Sequence, residues 1–168
     1  VSAVLQFGLA ALILIGTLNY HVLVLPMGGW EAPFGIAITI DTLSGLMISL
    51  STLISAFALF FSYTETKLKD EHWLRLPLMQ FLLAGINLSF ITGDFFNLFV
   101  AFEIMLISSY ALMSLESSAK NLKKVLPYLM INLIGSTLFL IAGGLFYGLF
   151  GSLSFAAISQ ASPLLLND

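Results

Sequence analysis

Gly93-Asp94-Phe95-Phe96-Asn97-Leu98-Phe99-Val100-Ala101-Phe102-Glu103-Ile104-Met105-Leu106-Ile107-Ser108-Ser109-Tyr110 is the stretch whose reading decides the fold. After the polar corner at Gly93-Asp94 it is almost wholly apolar, and it carries one carboxylate, Glu103, inside the run. At ~1.5 Å per helical residue counted from Phe95, that carboxylate sits roughly 12 Å into a hydrocarbon layer about 30 Å thick. A charged group at such depth costs a few kcal/mol or more, so an intramembrane glutamate is by default a functional-site candidate.

The rest of the chain supports a membrane reading. Of 168 residues, 59% are hydrophobic and only 9% charged, with a mean hydropathy of +1.02. Soluble domains carry about 25% charged residues. The fold class expected is therefore an all-α integral membrane protein, treated as a single unit over 1–168. Cysteine is absent, which removes disulfides and thiolate metal sites. His21 and His72 are too few and too far apart for a histidine metal site, and nothing calls for a cofactor or a nucleic acid. The chain begins at Val1, and its first apolar run lacks the basic flank of a signal peptide, so a missing or processed N-terminus is expected.

Five apolar segments approach or exceed the ~20 residues of a spanning helix. They cover about Val1–Leu18, Asp41–Tyr63, Trp73–Thr92, Phe95–Leu115 and Val125–Leu149. Segments this long satisfy their backbone in lipid only as helices. Pro127 is expected in the first turn of the fifth, where a missing N–H is tolerated. Between the first two segments, Tyr20 to Ile36 holds two prolines and three glycines, with strand-like content from His21 to Leu25 and an interfacial anchor in Trp30. A folded cap is expected there. The tail from Ser152 reads as a short surface helix ended by Pro163.

All six basic residues fall in two regions: Lys67, Lys69 and Arg75, then Lys120, Lys123 and Lys124. With five spans these regions share a side, and the positive-inside rule makes it cytoplasmic. Regions 64–75 and 116–124 and the N-terminal end are then inside, and the C-terminal end is outside.

The nine acids sort by the same scheme. Glu65, Asp70, Glu71 and Glu116 fall in inner connections, Glu31 and Asp168 outside. Asp41 and Asp94 stand at helix starts, where a carboxylate caps free N–H groups. Glu103 is left without a loop or cap role, and the spans offer it no lysine or arginine. Its bland alternative is a neutral carboxyl hydrogen-bonded between helices. Burial without a partner favours the neutral form of a carboxyl, and such a group can take up and release a proton. Phe96, Phe99, Ile107 and Tyr110 share its helical face; Tyr110 either lines a hydrated path or simply packs. Asn87, Ser89, Asn132, Ser136 and Thr137 read as glue between helices, and Gly135, Gly143, Gly144 and Gly148 as points of close helix approach.

The motifs Gly93-Asp94-Phe95-Phe96-Asn97-Leu98-Phe99, Phe102-Glu103-Ile104-Met105 and Ser108-Ser109-Tyr110 resemble the fourth-to-fifth helix region of antiporter-like membrane subunits. These occur in Mrp-type multisubunit Na⁺/H⁺ antiporters, respiratory complex I and energy-converting membrane hydrogenases. Gly29-Trp30-Glu31-Ala32-Pro33-Phe34-Gly35-Ile36 with Asp41-Thr42-Leu43-Ser44 looks closest to the D subunit of Mrp antiporters. The resemblance runs over essentially the whole chain. It implies that Glu103 is a proton-translocating residue, coupled in the family to a lysine on the seventh helix that has no counterpart here. Asp94 and Tyr110 are accessory polar candidates beside it.

The five spans would then be family helices two to six of a longer subunit, or of a truncated or split form. Implied partners are other membrane subunits, the lipid bilayer, protons, and Na⁺ or another monovalent cation. Two alternatives stay open: a proton-pumping membrane-arm subunit of a hydrogenase or complex I-like oxidoreductase, and a non-transporting assembly module.

Overall fold

The computed structural model describes residues 2–29, 35–65, 73–115 and 119–165. Trp30, Glu31, Lys67, Lys69, Asp70, Glu71, His72, Glu116 and Asp168 lie outside the described residues, and so do the expectations that rest on them. In chain order the elements are helix α1 (Ser2–Tyr20), strand β1 (Val22–Pro26), a 3₁₀ turn at Met27–Gly29, strand β2 (Ala37–Asp41), and helices α2 (Thr42–Glu65), α3 (Arg75–Ile91), α4 (Phe95–Leu115), α5 (Ala119–Phe150) and α6 (Phe155–Leu165).

Four of the helices, α1, α2, α4 and α5, are long and apolar enough to cross a membrane, and α3 is a shorter apolar helix of 17 residues. The chain is a multi-pass membrane protein. At 1.5 Å per residue α3 spans only about 25 Å, short of the ~30 Å hydrocarbon layer. Arg75 opens it, so this arginine begins a helix rather than sitting in a connection. By contrast, α5 has 32 residues, about 48 Å, more than a span needs. Its surplus is the basic segment holding Lys120, Lys123 and Lys124, which extends the helix ahead of the apolar run that begins at Val125. Pro127 therefore falls inside α5 and does not start it. A proline there withholds one backbone hydrogen bond, and the helix continues on both sides of it.

The expected cap is a hairpin. β1 and β2 pair antiparallel, with Val22 opposite Asp41, Val24 opposite Thr39 and Pro26 opposite Ala37. Proline at the far end of a two-stranded edge withholds no ladder bond from a third strand. His21 takes a left-handed φ of 62° at the exit of α1, where its N–H still donates to the Thr17 carbonyl at 2.9 Å. That lone left-handed residue turns the helix into β1.

Two further segments join the hairpin at the same end. The Gly93 N–H donates to the Ala37 carbonyl at 3.0 Å, and Ile38 forms a bridge to Thr92. On its other side the corner holds the α5–α6 link: Phe155 N–H donates to the Gly93 carbonyl at 3.0 Å and Phe95 N–H to the Leu153 carbonyl at 2.9 Å. Residues 19–29 and 35–41, the 92–94 corner and the link after 150 thus share one end, as the five-segment alternation requires. The tail helix runs past Pro163 to Leu165, so this proline does not end it. The carbonyl of Ser159, which Pro163 has no N–H to meet, accepts the Ser162 hydroxyl at 3.5 Å.

Between helices, packing is sequential: α1 against α2, α2 against α3, α3 against α4, and α4 against α5. The tightest approach uses Gly85, where a Cβ would lie 2.8 Å from Met105 N and 2.9 Å from the Ala101 carbonyl. Of the four glycines expected to allow close approach, only Gly143 meets a neighbour, the Phe95 ring at 3.2 Å. A Cβ at Gly135, Gly144 or Gly148 would meet nothing within 4 Å.

Candidate functional site

Three sides of α4 can be told apart by what touches them. Ala101 and Met105 face α3 through Gly85. Phe95, Phe99 and Phe102 face α5, their rings gathered on Phe139 with centroids 4.5, 6.3 and 5.8 Å away. On the third side Ile107, four residues from Glu103, is 60% exposed, and Phe96, seven residues away, is 46% exposed at the edge of the α5 seam. By helical spacing Glu103 lies between Phe99, which faces α5, and the exposed Ile107. It is half-buried as a residue, yet its Oε1 is buried and has no hydrogen-bond partner among the described residues. Through Oε1, then, Glu103 makes no hydrogen bond to a neighbouring helix among the described residues.

What holds Glu103 at its depth is the start of its helix. Asp94 is 9% exposed, and its Oδ1 accepts the backbone N–H groups of Phe96 at 2.8 Å and Asn97 at 3.1 Å. That is an N-cap for the otherwise unpaired first-turn donors. Asn97 returns a bond from Nδ2 to the Thr92 hydroxyl at 2.9 Å, which locks the corner. Asp41 does the equivalent for α2, accepting Ser44 N–H at 2.7 Å. This bond holds the exposed Asp41 carboxyl below the usual carboxylate range. Both aspartates are caps, as their positions at helix starts predict.

Tyr110, two turns beyond Glu103, stands edge-on to Tyr128 of α5 with centroids 5.4 Å apart. The two helices meet there around a cavity of about 210 Å³ that also touches Ser114 and Val125. Glu103 and Tyr110 share a helix, and neither Glu103 nor Asp94 borders this cavity. Two more cavities follow the α4–α5 seam. One of about 310 Å³ lies among Phe95, Phe96, Phe99, Phe139 and Tyr147; another of about 330 Å³ lies among Phe99, Phe102, Met105, Asn132, Ser136 and Phe139.

The polar residues expected as glue divide. Ser51 of α2 donates to the Asn87 side-chain carbonyl of α3, a true interhelical bond. Ser89 and Thr137 turn back onto their own helices, to Ile86 O at 2.7 Å and Leu133 O at 2.8 Å. The Nδ2 of Asn132 makes no such tie, being buried without a hydrogen-bond partner among the described residues. An unnoticed tie is that of Gln6 to Gln80, which joins α1 to α3. Its signal was there in the sequence, as two glutamines inside apolar helices. Among the described residues no three His, Cys, Asp or Glu side chains gather to hold a metal ion.

Residues 92–168, which open on the Thr92–Asp94 corner and include Glu103, match the family model described as NADH:quinone oxidoreductase/Mrp antiporter, TM. The chain belongs to this antiporter-like family. Relatives extend the likeness toward the N-terminus. The D subunit of a Na⁺/H⁺ antiporter from Alkalihalophilus pseudofirmus is 39% identical over 136 residues, 81% of this chain and 28% of that one. Its namesake from Bacillus subtilis is 36% identical over 135 residues, 80% of this chain and 27% of the relative.

Among solved family structures, the Mrp complex from Dietzia sp. superposes with a TM-score of 0.82 at 27% identity, covering 98% of this chain and 33% of that one. A membrane-bound sulfane sulfur reductase, an archaeal respiratory membrane complex, gives 0.83 at 29% identity, with 94% and 32% covered. The chain thus spans about a third or less of the length of the proteins it matches.

Proposed function

We propose that the chain forms part of a D-type subunit of a multisubunit cation/proton antiporter, and that Glu103 is the group in it that takes up and releases a proton. The single observation that carries this reading is the buried Oε1 of Glu103, which has no hydrogen-bond partner among the described residues. A carboxylate held there charged would need a cation, and a carboxyl held neutral would need none. A cation brought near the carboxyl from outside these five helices favours the charged form and expels the proton; its withdrawal lets the carboxyl take a proton up again. No covalent step is involved. The work is done by coupling one protonation to the displacement of another charge.

Sodium or another monovalent cation is the proposed exchange partner, because the relatives named above are Na⁺/H⁺ antiporter subunits. Other membrane subunits are the proposed neighbours. For orientation we propose that the hairpin end faces outward and that the ends carrying Arg75 and Lys120 face the cytoplasm.

The test replaces Glu103 in the full subunit within its assembled complex. Vesicles carrying Glu103→Gln should lose Na⁺-driven pH change, and Glu103→Asp should retain part of it. Wild-type exchange by Glu103→Gln would overturn the assignment.

A second reading has its own support, since the superposition on a respiratory membrane complex is as close as that on the Mrp complex. Glu103 would serve the same purpose there, with redox energy from partner subunits driving it. Mass spectrometry of the intact complex separates the two: iron–sulfur subunits favour the redox-driven assembly, and their absence favours the antiporter. An assembly-only role predicts that Glu103→Gln leaves exchange intact while loss of the chain disperses the complex.

A further inference from the structure

All six helices have an end at the hairpin end of the molecule. α1 runs out into β1, β2 feeds α2, and α3 stops at Ile91, just before the corner from which α4 starts at Phe95. α5 ends at Phe150, and the link that follows it opens α6 at Phe155. Between these helix ends lie four pieces of backbone from distant parts of the chain: β1, β2, the 92–94 corner and the 152–154 link.

The four lie side by side in that order. β1 pairs with β2 from Val22–Asp41 to Pro26–Ala37. β2 adjoins the corner through the Gly93 N–H on the Ala37 carbonyl and the bridge between Ile38 and Thr92. The corner adjoins the link through the Phe155 N–H on the Gly93 carbonyl, the Phe95 N–H on the Leu153 carbonyl and the bridge between Asp94 and Ser154.

Gly93 is engaged on both sides at once, its N–H toward β2 and its carbonyl toward the link. Thr92, Gly93 and Asp94 are all buried, whereas β1 at the edge is largely exposed. A buried peptide group left unpaired costs about as much as a lost hydrogen bond, so the corner cannot release one flank cheaply and keep the other. It opens when its neighbours open, which is how a cooperative unit behaves in a native protein.

We propose that β2, the 92–94 corner and the 152–154 link form a brace that opens and closes as a single cooperative unit. It pins the start of α4, the helix that carries Glu103, to the starts of α2 and α6. The brace stands on backbone contacts alone and does not depend on what Glu103 does or on which side of the membrane this end faces.

The test removes one backbone donor. Phe155 is the first residue of α6, a position where a helix tolerates proline, and Ser154 before it is already in a bridge rather than in the helix. Phe155→Pro therefore deletes the N–H that the Gly93 carbonyl accepts and leaves α6 able to form. It also deletes the ring that stands edge-on to Phe95 at 6.4 Å; Phe155→Ala deletes that ring and keeps the N–H.

Hydrogen–deuterium exchange of the full subunit in its assembled complex is read by mass spectrometry over residues 36–41 and 92–95. Phe155→Pro should raise exchange several-fold over Phe155→Ala at 92–95 and also at 36–41, one piece removed from the lost bond. Acceleration that stops at 92–95, or reaches neither stretch, would overturn the brace. Equal acceleration by Phe155→Ala would overturn it too, since ring packing would then be what couples the pieces. If Phe155→Pro fails to assemble, the wild type decides: 36–41 and 92–95 should share one degree of protection after correction for intrinsic rates, and a several-fold difference would overturn the brace. Ion exchange is not read, so failure here and failure of the Glu103 assignment are told apart.

Discussion

Gly85 of α3 and Met105 of α4 meet backbone to backbone: a Cβ on Gly85 would lie 2.8 Å from Met105 N and 3.1 Å from its Cα. The contact is to main-chain atoms, which cannot swing aside as a side-chain end can. It also fixes α4 two residues from Glu103, with Ala101 completely buried on the same side.

Gly85→Ala should therefore cost about 1–3 kcal/mol, the usual penalty of overpacking. Gly135→Ala, where a Cβ meets nothing within 4 Å, should be tolerated or mildly stabilising in the helix. Thermal unfolding of the two variants in detergent compares them directly. Equal midpoints would mean that α3 and α4 are not held together at Gly85.

Asp94 caps the helix that carries Glu103. Loss of its two accepted bonds in Asp94→Ala should destabilise by roughly 0.5–2 kcal/mol, and Asp94→Asn or Asp94→Ser should restore most of it. Hydrogen exchange at the Phe96 and Asn97 amides reports the cap itself and should accelerate in Asp94→Ala. If Asp94→Asn restores the cap but abolishes ion exchange, Asp94 has a charge-dependent role beyond capping.

The corner beside it contains a steric constraint. A Cβ on Gly93 would lie 2.8 Å from Thr39 Cγ2 and 3.0 Å from the Ala37 carbonyl. Gly93→Ala should destabilise, and Thr39→Ser, which removes that methyl, should return part of the loss. The relief should be partial because the Ala37 carbonyl remains. A double-mutant cycle measures the coupling, expected within ~0.5–3 kcal/mol for residues in contact; additive effects would contradict the contact.

The cap on α2 gives a pH dependence whose sign is determined. Hydrogen bonding from Ser44 lowers the Asp41 carboxyl in the folded state relative to the unfolded one, near ~3.9. Its contribution is then present above the unfolded value and fades as pH falls through the lower, folded one. The stability difference between wild type and Asp41→Ala should hold at neutral pH and shrink below about pH 4. The group is solvent-exposed, so the effect is small. A difference that grows on acidification would contradict it.

How legible the fold was depended on whether the signal was local. Both ends of α4 were legible, because Asp94 marks the cap and Phe95–Leu115 is one apolar run. The start of α5 was misplaced because Pro127 is a familiar first-turn residue and the basic stretch ahead of it is polar. Helix formation outside the hydrocarbon depends on neither apolarity nor the absence of one proline. Likewise Pro163 reads as a stop, yet α6 passes through it.

The hairpin's strand content was visible from His21 to Leu25, but its partner Ala37–Asp41 lies more than ten residues further along the chain. Register of that kind is a long-range property. Glycine was the poorest guide. Four glycines cluster on α5, whereas the decisive contact falls on the single Gly85, because close approach depends on which face meets a neighbour. At the site, depth and charge singled out Glu103 in the sequence, and in the structure its Oε1 has no hydrogen-bond partner among the described residues. The idle Asn132 donor was not legible, since a sequence does not say whether a polar side chain inside a helix finds a partner.

The central claim is that Glu103 changes protonation as ions are exchanged. Infrared difference spectroscopy of the assembled complex, recorded as a Na⁺ gradient is imposed, reads this without relying on bulk pH. A carboxylic C=O band should appear or vanish with the gradient in wild type and be missing in Glu103→Gln. The same band persisting in Glu103→Gln, or no carboxyl signal in an actively exchanging wild type, would contradict the account.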